Sequence, residues 1–203
     1  PGLSRKKRNF AMVVSHDVDT PCRYGFLNIP QTIRAMGGDI LLRGKIGTAL
    51  RGPWIRYKTV QAIHRSDPYN TYDLIMDISE RHGLVSAFYF KGGCTNRTYD
   101  TQYEIGHPVL RNLLRHIHER GHEIGLHPSY GAYQTPQIIV DEAAHRRHVC
   151  DEEGIRQAEW GGRMHYLRWK TPTTLYGWEQ AGMTYDSTLS YADHAGFRCG
   201  TCH

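Results

Sequence analysis

The sequence predicts an α/β fold with mostly parallel strands, and three observations carry that expectation. Short apolar runs alternate along the chain with longer helix-like stretches, the pattern that successive βα units leave. The runs are bounded by glycine and proline, which punctuate elements because one frees the backbone and the other removes a donor. Residues with chemistry gather where the runs end, the edge at which parallel sheets and barrels bind ligands.

Taken in order, Phe10-Ala-Met-Val-Val-Ser15 is apolar and β-branched and reads as a buried strand that ends where the acids begin. The stretch from about 21 to 69 is rich in glycine, arginine and aromatics and poorly periodic. It reads as an insertion of loops and short helices over one face. Asn70-Thr71 caps a helix to about Arg81, with Leu74, Ile75 and Ile78 on one stripe and His82-Gly83 as its stop. Leu84 to Phe90 is a second strand, closed by Lys91-Gly-Gly93. Pro108 opens a helix that Gly121 ends, and His122 to His127 is a third strand stopped by Pro128. A long polar helix runs from Pro136 to about Glu153, and a fourth strand is expected around Met164 to Trp169. A helix from Thr173 to Gln180 and a short strand, Met183 to Asp186, complete the series.

A chain of 203 residues suits one core and is short for two domains. The expectation is a single domain over residues 1–203, with the insertion at about 21–69. No apolar run approaches the roughly 20 residues of a membrane-spanning helix. The formal charge of +5 raises nucleic-acid binding as a class. Much of the excess sits in Arg5-Lys-Lys-Arg8 and in the insertion, so it reads as a solvated arm and no nucleic-acid partner is expected. The five cysteines are odd in number and scattered, which points to reduced thiols and a cytoplasmic setting.

Asp17 and Asp19 stand two apart, so on an extended strand they share a face. Paired carboxylates at a buried strand end need a cation, an arginine or a shared proton. A divalent metal would meet that need and lower the pKa of a water, leaving the other acid to act as base. Two ordinary aspartates capping a loop fit the same two residues.

Gly121-His-Glu-Ile-Gly-Leu-His127 resembles the second motif of the polysaccharide deacetylases of the NodB-homology type, carbohydrate esterase family four. Ser15-His-Asp-Val-Asp19 resembles their first motif, and the strand Leu84 to Phe90 supports the same register. The resemblance implies a distorted (β/α) barrel, incomplete at its C-terminal end. It also implies a divalent metal, zinc foremost, and removal of an N-acetyl group from a carbohydrate. It makes Asp17 the base and Asp19 and His127 ligands. Leu167-Arg168-Trp169 is similar to the third motif, which implies Arg168 as the arginine orienting Asp17. Tyr185-Asp-Ser-Thr188 is similar to the fourth, whose Asp186 would hold that arginine.

Two departures follow. The second motif's later histidine is replaced by Gly131, and His165 is the candidate to fill its place, with Arg163 on the same face of the chain. Ser129 and Tyr130 are further candidates to face the site. No Leu-x-His follows the fourth motif before His203, so the chain reads as a fragment of a longer protein. Two alternatives stand beside the deacetylase: a glycan-binding relative without turnover, and a hydrolase of non-sugar C–N bonds.

Overall fold

The computed structural model describes residues 12–101, 103–196 and 198–200. The basic run Arg5–Arg8, the start of the expected first strand at Phe10, and Cys202 lie outside the described residues.

Five parallel strands stand in the order in which they occur in the chain: β1 (Val14–Val18), β2 (Ser86–Lys91), β3 (Glu123–His127), β4 (Gly161–Gly162) and β5 (Tyr185–Asp186). Among the described residues six α-helices accompany them: α1 (Ile29–Leu41), α2 (Ile46–Lys58), α3 (Tyr72–Arg81), α4 (Pro108–Glu119), α5 (Pro136–Glu152) and α6 (Thr173–Gln180). Sequential order means that each crossover moves one strand along in the same direction, a winding compatible with part of a barrel. The sheet is open, with β1 and β5 at its edges.

The helices α3 to α6 form where the sequence predicts them. On α4 the apolar residues Val109, Leu110, Leu113, Leu114 and Ile117 all turn inward, the stripe expected of a helix packed on a sheet. They meet Phe88, Phe90 and Ile124 from β2 and β3 and Met76 from α3 in the main core. A second core joins Ile139 and Ala143 of α5 to Trp178 of α6 and Leu126 of β3.

Three expectations need correction. β1 does not end at Ser15 but continues to Val18, pairing Asp17 with Tyr89 and Val18 with Phe90. On this edge strand Ser15 is half-buried and Asp17 exposed, and Arg163 binds both, at 2.8 and 2.9 Å. The fourth strand is Gly161–Gly162, not Met164 to Trp169. A Cβ on Gly162 would lie 1.9 Å from the Leu126 carbonyl oxygen, so this strand needs glycine and shows no apolar signature. The stretch from Met164 to Trp169 instead contains a tight 3-10 turn, His165–Leu167, with Tyr166 and Leu167 at positive φ, 58° and 52°. Last, the insertion holds two helices of 13 residues each, α1 and α2. Asn28 and Gln31 form a reciprocal cap that starts α1. Its buried face is Thr32, Ala35 and Asp39, too small and polar to register as a core stripe.

Candidate metal centre

The site assembles at the C-terminal edge of β1 to β4. Asp19 follows β1, and His127 is the last residue of β3, paired in register with Lys91 at the end of β2. His165 opens the 3-10 turn after β4. The ligand-type atoms of Asp19, His127 and His165 all lie within 4.8 Å of one another. The Asp19 Oδ1 is 3.3 Å from His127 Nε2 and 3.1 Å from His165 Nε2. Both imidazoles are buried, whereas Asp19 reaches solvent.

Each ring is oriented from behind. His127 Nδ1 donates to the Arg163 carbonyl at 2.6 Å, and His165 Nδ1 donates to Asp100 Oδ1 at 3.0 Å. With Nδ1 engaged in this way, Nε2 is the nitrogen that each ring turns toward Asp19. A histidine backed by a carbonyl or carboxylate is the arrangement that metal-binding histidines adopt. Hydrogen bonding from His127 and then His165 holds the Asp19 carboxyl far below its ordinary range. The donor set of two imidazoles and one carboxylate fits a borderline divalent ion with open coordination positions.

Asp100 is the residue that sequence reading missed. It lies in the loop after β2, buried, and accepts Thr95 N–H (3.0 Å), Asn96 N–H (2.9 Å) and Tyr130 N–H (2.9 Å) besides His165. Burial alone would raise its pKa, but these amide donors outweigh it and keep the group ionised. No periodicity marks such a loop acid. Lys91 was also passed over: its Nζ is buried, 3.9 Å from Asp19 and 3.7 Å from Asp100, and among the described residues it has no hydrogen-bond partner. Asp100→Asn should weaken zinc binding roughly 10- to 100-fold, the usual cost of losing a partner behind a ligand. Titration against a competing chelator measures it, and an unchanged affinity would remove Asp100 from the site.

Asp17 is paired with Arg163, whose Nη1 donates to Asp17 Oδ1 at 2.9 Å. Arg163 also donates to Ser15 Oγ and to the Ser187 carbonyl, so its guanidinium is held on three sides. The expectation that Arg168 orients Asp17 is therefore corrected. Arg168 lies beyond the positive-φ turn and stacks on Tyr130 and Tyr133, 3.8 and 4.1 Å from their ring centroids. Arg163 and His165 do share a face, reaching Asp17 and Asp19 respectively. Asp186 acts through Thr188: its Oδ1 accepts the Thr188 hydroxyl at 2.5 Å, and Thr188 Oγ1 accepts Met164 N–H at 2.9 Å. This relay pins the segment between Arg163 and His165, and among the described residues Asp186 makes no hydrogen bond to either arginine.

Ser129 does not face the site, and the ring of Tyr130 lies in the aromatic cluster at its flank. Tyr130 stacks on Tyr99 with centroids 4.3 Å apart. Ser129 is buried and gives its hydroxyl to Glu142 Oε1 at 2.5 Å and its N–H to Oε2 at 2.9 Å. Burial pushes the Glu142 carboxyl up to about 7, with Asp100 also raising it and Lys91 opposing. Its folded pKa exceeds the unfolded value of about 4.3. This contribution to stability is therefore intact below that value and is lost as pH rises through about 7. The loss is on the order of 3 kcal/mol. Glu142→Gln, which copies the protonated form, should flatten the fall in stability between pH 5 and pH 8 in denaturant titrations; an unchanged slope would assign the fall elsewhere.

A cleft of about 340 Å³ opens beside Asp17 and Asp19, lined also by Tyr69, Tyr72 and Phe88. On the other flank, Tyr166 is 62% exposed and packs edge-on to Tyr99 and Tyr130, with its ring 4.6 Å from His165. No helix of the described residues is long and apolar enough to cross a membrane. No protein-family model, curated protein or solved structure matches the chain.

Proposed function

We propose that the chain is a metal-dependent hydrolase of the polysaccharide-deacetylase type, removing an N-acetyl group from a carbohydrate. The observation that carries this reading is the pairing of a potential ligand trio with a separate, arginine-held carboxylate on the same strand end. Asp19, His127 and His165 would hold the ion, with zinc the favoured identity for a site of two histidines and one carboxylate. A bound divalent ion supplies Lewis acidity, lowering the pKa of a water and polarising a carbonyl.

The chain's own residues supply the rest. Asp17 takes the proton of the attacking water, and Arg163 fixes that carboxylate by occupying Oδ1. The cleft falls within the roughly 300–1,000 Å³ of small-molecule sites. The exposed faces of Tyr99 and Tyr166 give a sugar ring apolar surface beside the ligands, with hydroxyls at their rims. The sequential parallel sheet is compatible with part of the barrel that this family resemblance implies.

Zinc titration followed by an acetate-release assay on N-acetylated sugar oligomers tests the reading. Acetate release that chelation abolishes and zinc restores supports it. Bound zinc and bound glycan without release would favour a glycan-binding relative. Turnover of simple amides in place of sugars would favour a hydrolase of other C–N bonds.

A further inference from the structure

The helical hairpin α1–α2 is built inside out relative to an ordinary packed pair. Apart from Ile55, its inward residues are small or polar: Thr32, Ala35 and Asp39 from α1, and Ala49 and Gly52 from α2. They close on Tyr24, whose ring leaves no room for a Cβ at Gly52 and whose hydroxyl meets the buried Asp39 at 2.5 Å. The large apolar residues lie outside. On α2, Ile46, Leu50, Trp54 and Tyr57 are exposed at intervals of four, four and three, a single helical stripe. On α1, Ile29, Ile33 and Leu41 are exposed in the same way. At the hairpin tip Leu41 and Leu42 are 84% and 85% exposed.

The charge of this segment is one-sided. Residues 28–60 contain Arg34, Arg43, Lys45, Arg51, Arg56 and Lys58 against one acid, Asp39, a net of +5 that equals the charge of the whole chain. That acid is buried and paired with Arg23 and Arg43, so residues 28–60 show no exposed carboxylate. Lys58 Nζ lies 4.7 Å from the Trp54 ring centroid, placing ammonium and indole together at the surface.

We infer that the α1–α2 hairpin is an interfacial anchor that docks the chain on an anionic lipid surface. Exposed leucine and isoleucine, an amphipathic Trp–Tyr pair and flanking arginines and lysines are the composition that settles at the headgroup boundary. The cationic residues draw it to acidic headgroups, and the aliphatic tip enters the acyl margin. A second copy of the chain fits less well, because the two faces would bring like charges together. Nucleic acid would engage the cations and leave Leu41, Leu42, Ile46 and Leu50 without a role. The hairpin leaves the chain after Asp19 and returns at Pro68 and Tyr69, which line the cleft beside Asp17 and Asp19. An anchored hairpin therefore tethers the metal centre to the surface. The inference is independent of the hydrolase reading.

Flotation of the full chain with vesicles tests it. The chain should float with phosphatidylcholine vesicles containing about a third phosphatidylglycerol and much less with phosphatidylcholine alone. The bound fraction should fall as salt rises, since the headgroup attraction is screened. The double variant Leu41→Glu, Leu42→Glu alters two solvent-facing residues and should reduce binding roughly tenfold or more, with an unchanged circular dichroism spectrum. Failure to float at low salt, or flotation that the double variant leaves intact, would overturn the inference. So would a dimer in sedimentation velocity that the variant dissociates while vesicle binding is absent.

Discussion

Replacing His165 by alanine is expected to lower zinc affinity by more than about a hundredfold and to abolish acetate release. The size follows from what the residue does. Three protein groups converge, and two of their contacts run through the single Asp19 oxygen that His127 and His165 both approach, at 3.3 and 3.1 Å. Removing one imidazole leaves a carboxylate and one histidine, and even partners behind a ligand are worth roughly 10- to 100-fold. Loss of the ring also leaves Asp100 a buried carboxylate without its His165 partner, although its amide donors remain. Stability gives a second readout. Zinc at about 100 times its dissociation constant stabilises the folded chain by about 2.7 kcal/mol. For a domain of this size that raises Tm by roughly 5–11 °C. The wild type should show that rise and His165→Ala should not. His116→Ala is the matched control, because His116 is exposed on α4 and its side chain pairs with Asp73, away from the ligand trio. Zinc bound by His165→Ala at wild-type affinity would dismantle the trio.

Asp19 and His127 sit at the ends of strands whose apolar runs are plain, so the sheet edge delivers them together. The alternation that put Arg163 and His165 on one face also held, although the strand assumed for it did not exist. Parallel pairing there lasts only through Gly161–Gly162, where close backbone approach excludes a side chain. The role expected of Arg168 rests on the third-motif resemblance, not on alternation. Even a regular strand would set it on the face opposite His165, and the left-handed turn at Tyr166 and Leu167 carries it to Tyr130 and Tyr133. Asp100, Lys91 and Glu142 act from a loop, a strand terminus and a helix flank, and each matters through a partner distant in sequence. Such pairings are tertiary facts that local patterning does not encode. In the insertion, where short helices were expected, the apolar stripe of α2 faces solvent, so local periodicity does not mark the face that packs.

Asp17→Asn is expected to lower kcat by about 10²–10⁴ while zinc content stays at the wild-type level. That range is what a positioned general base contributes, and Asp17 is not among the three groups that converge on the ion. Asparagine keeps the shape and still offers Arg163 an oxygen, so a folded chain with an intact ligand trio is the expected product. Arg163→Met separates positioning from ligation. His127 is held by the backbone carbonyl of Arg163, at 2.6 Å, whereas Asp17 is held by its guanidinium, at 2.9 Å. The variant keeps the carbonyl and loses the guanidinium. Zinc should remain while kcat falls, with KM moved less than kcat, because the carboxylate loses its fixed direction rather than its place in the chain. Lysine at position 163 should recover part of the loss by restoring a positive charge near Asp17, though it cannot reach Ser15, Asp17 and Ser187 at once as the planar fork does. Arg168→Met should leave kcat within a few-fold of wild type, since its contacts run to Tyr130 and Tyr133. The opposite ranking, with Arg168→Met crippling turnover and Arg163→Met sparing it, would return the base-orienting role to Arg168. Loss of zinc in Asp17→Asn would make Asp17 a ligand, and the proton would then need another acceptor at this strand end.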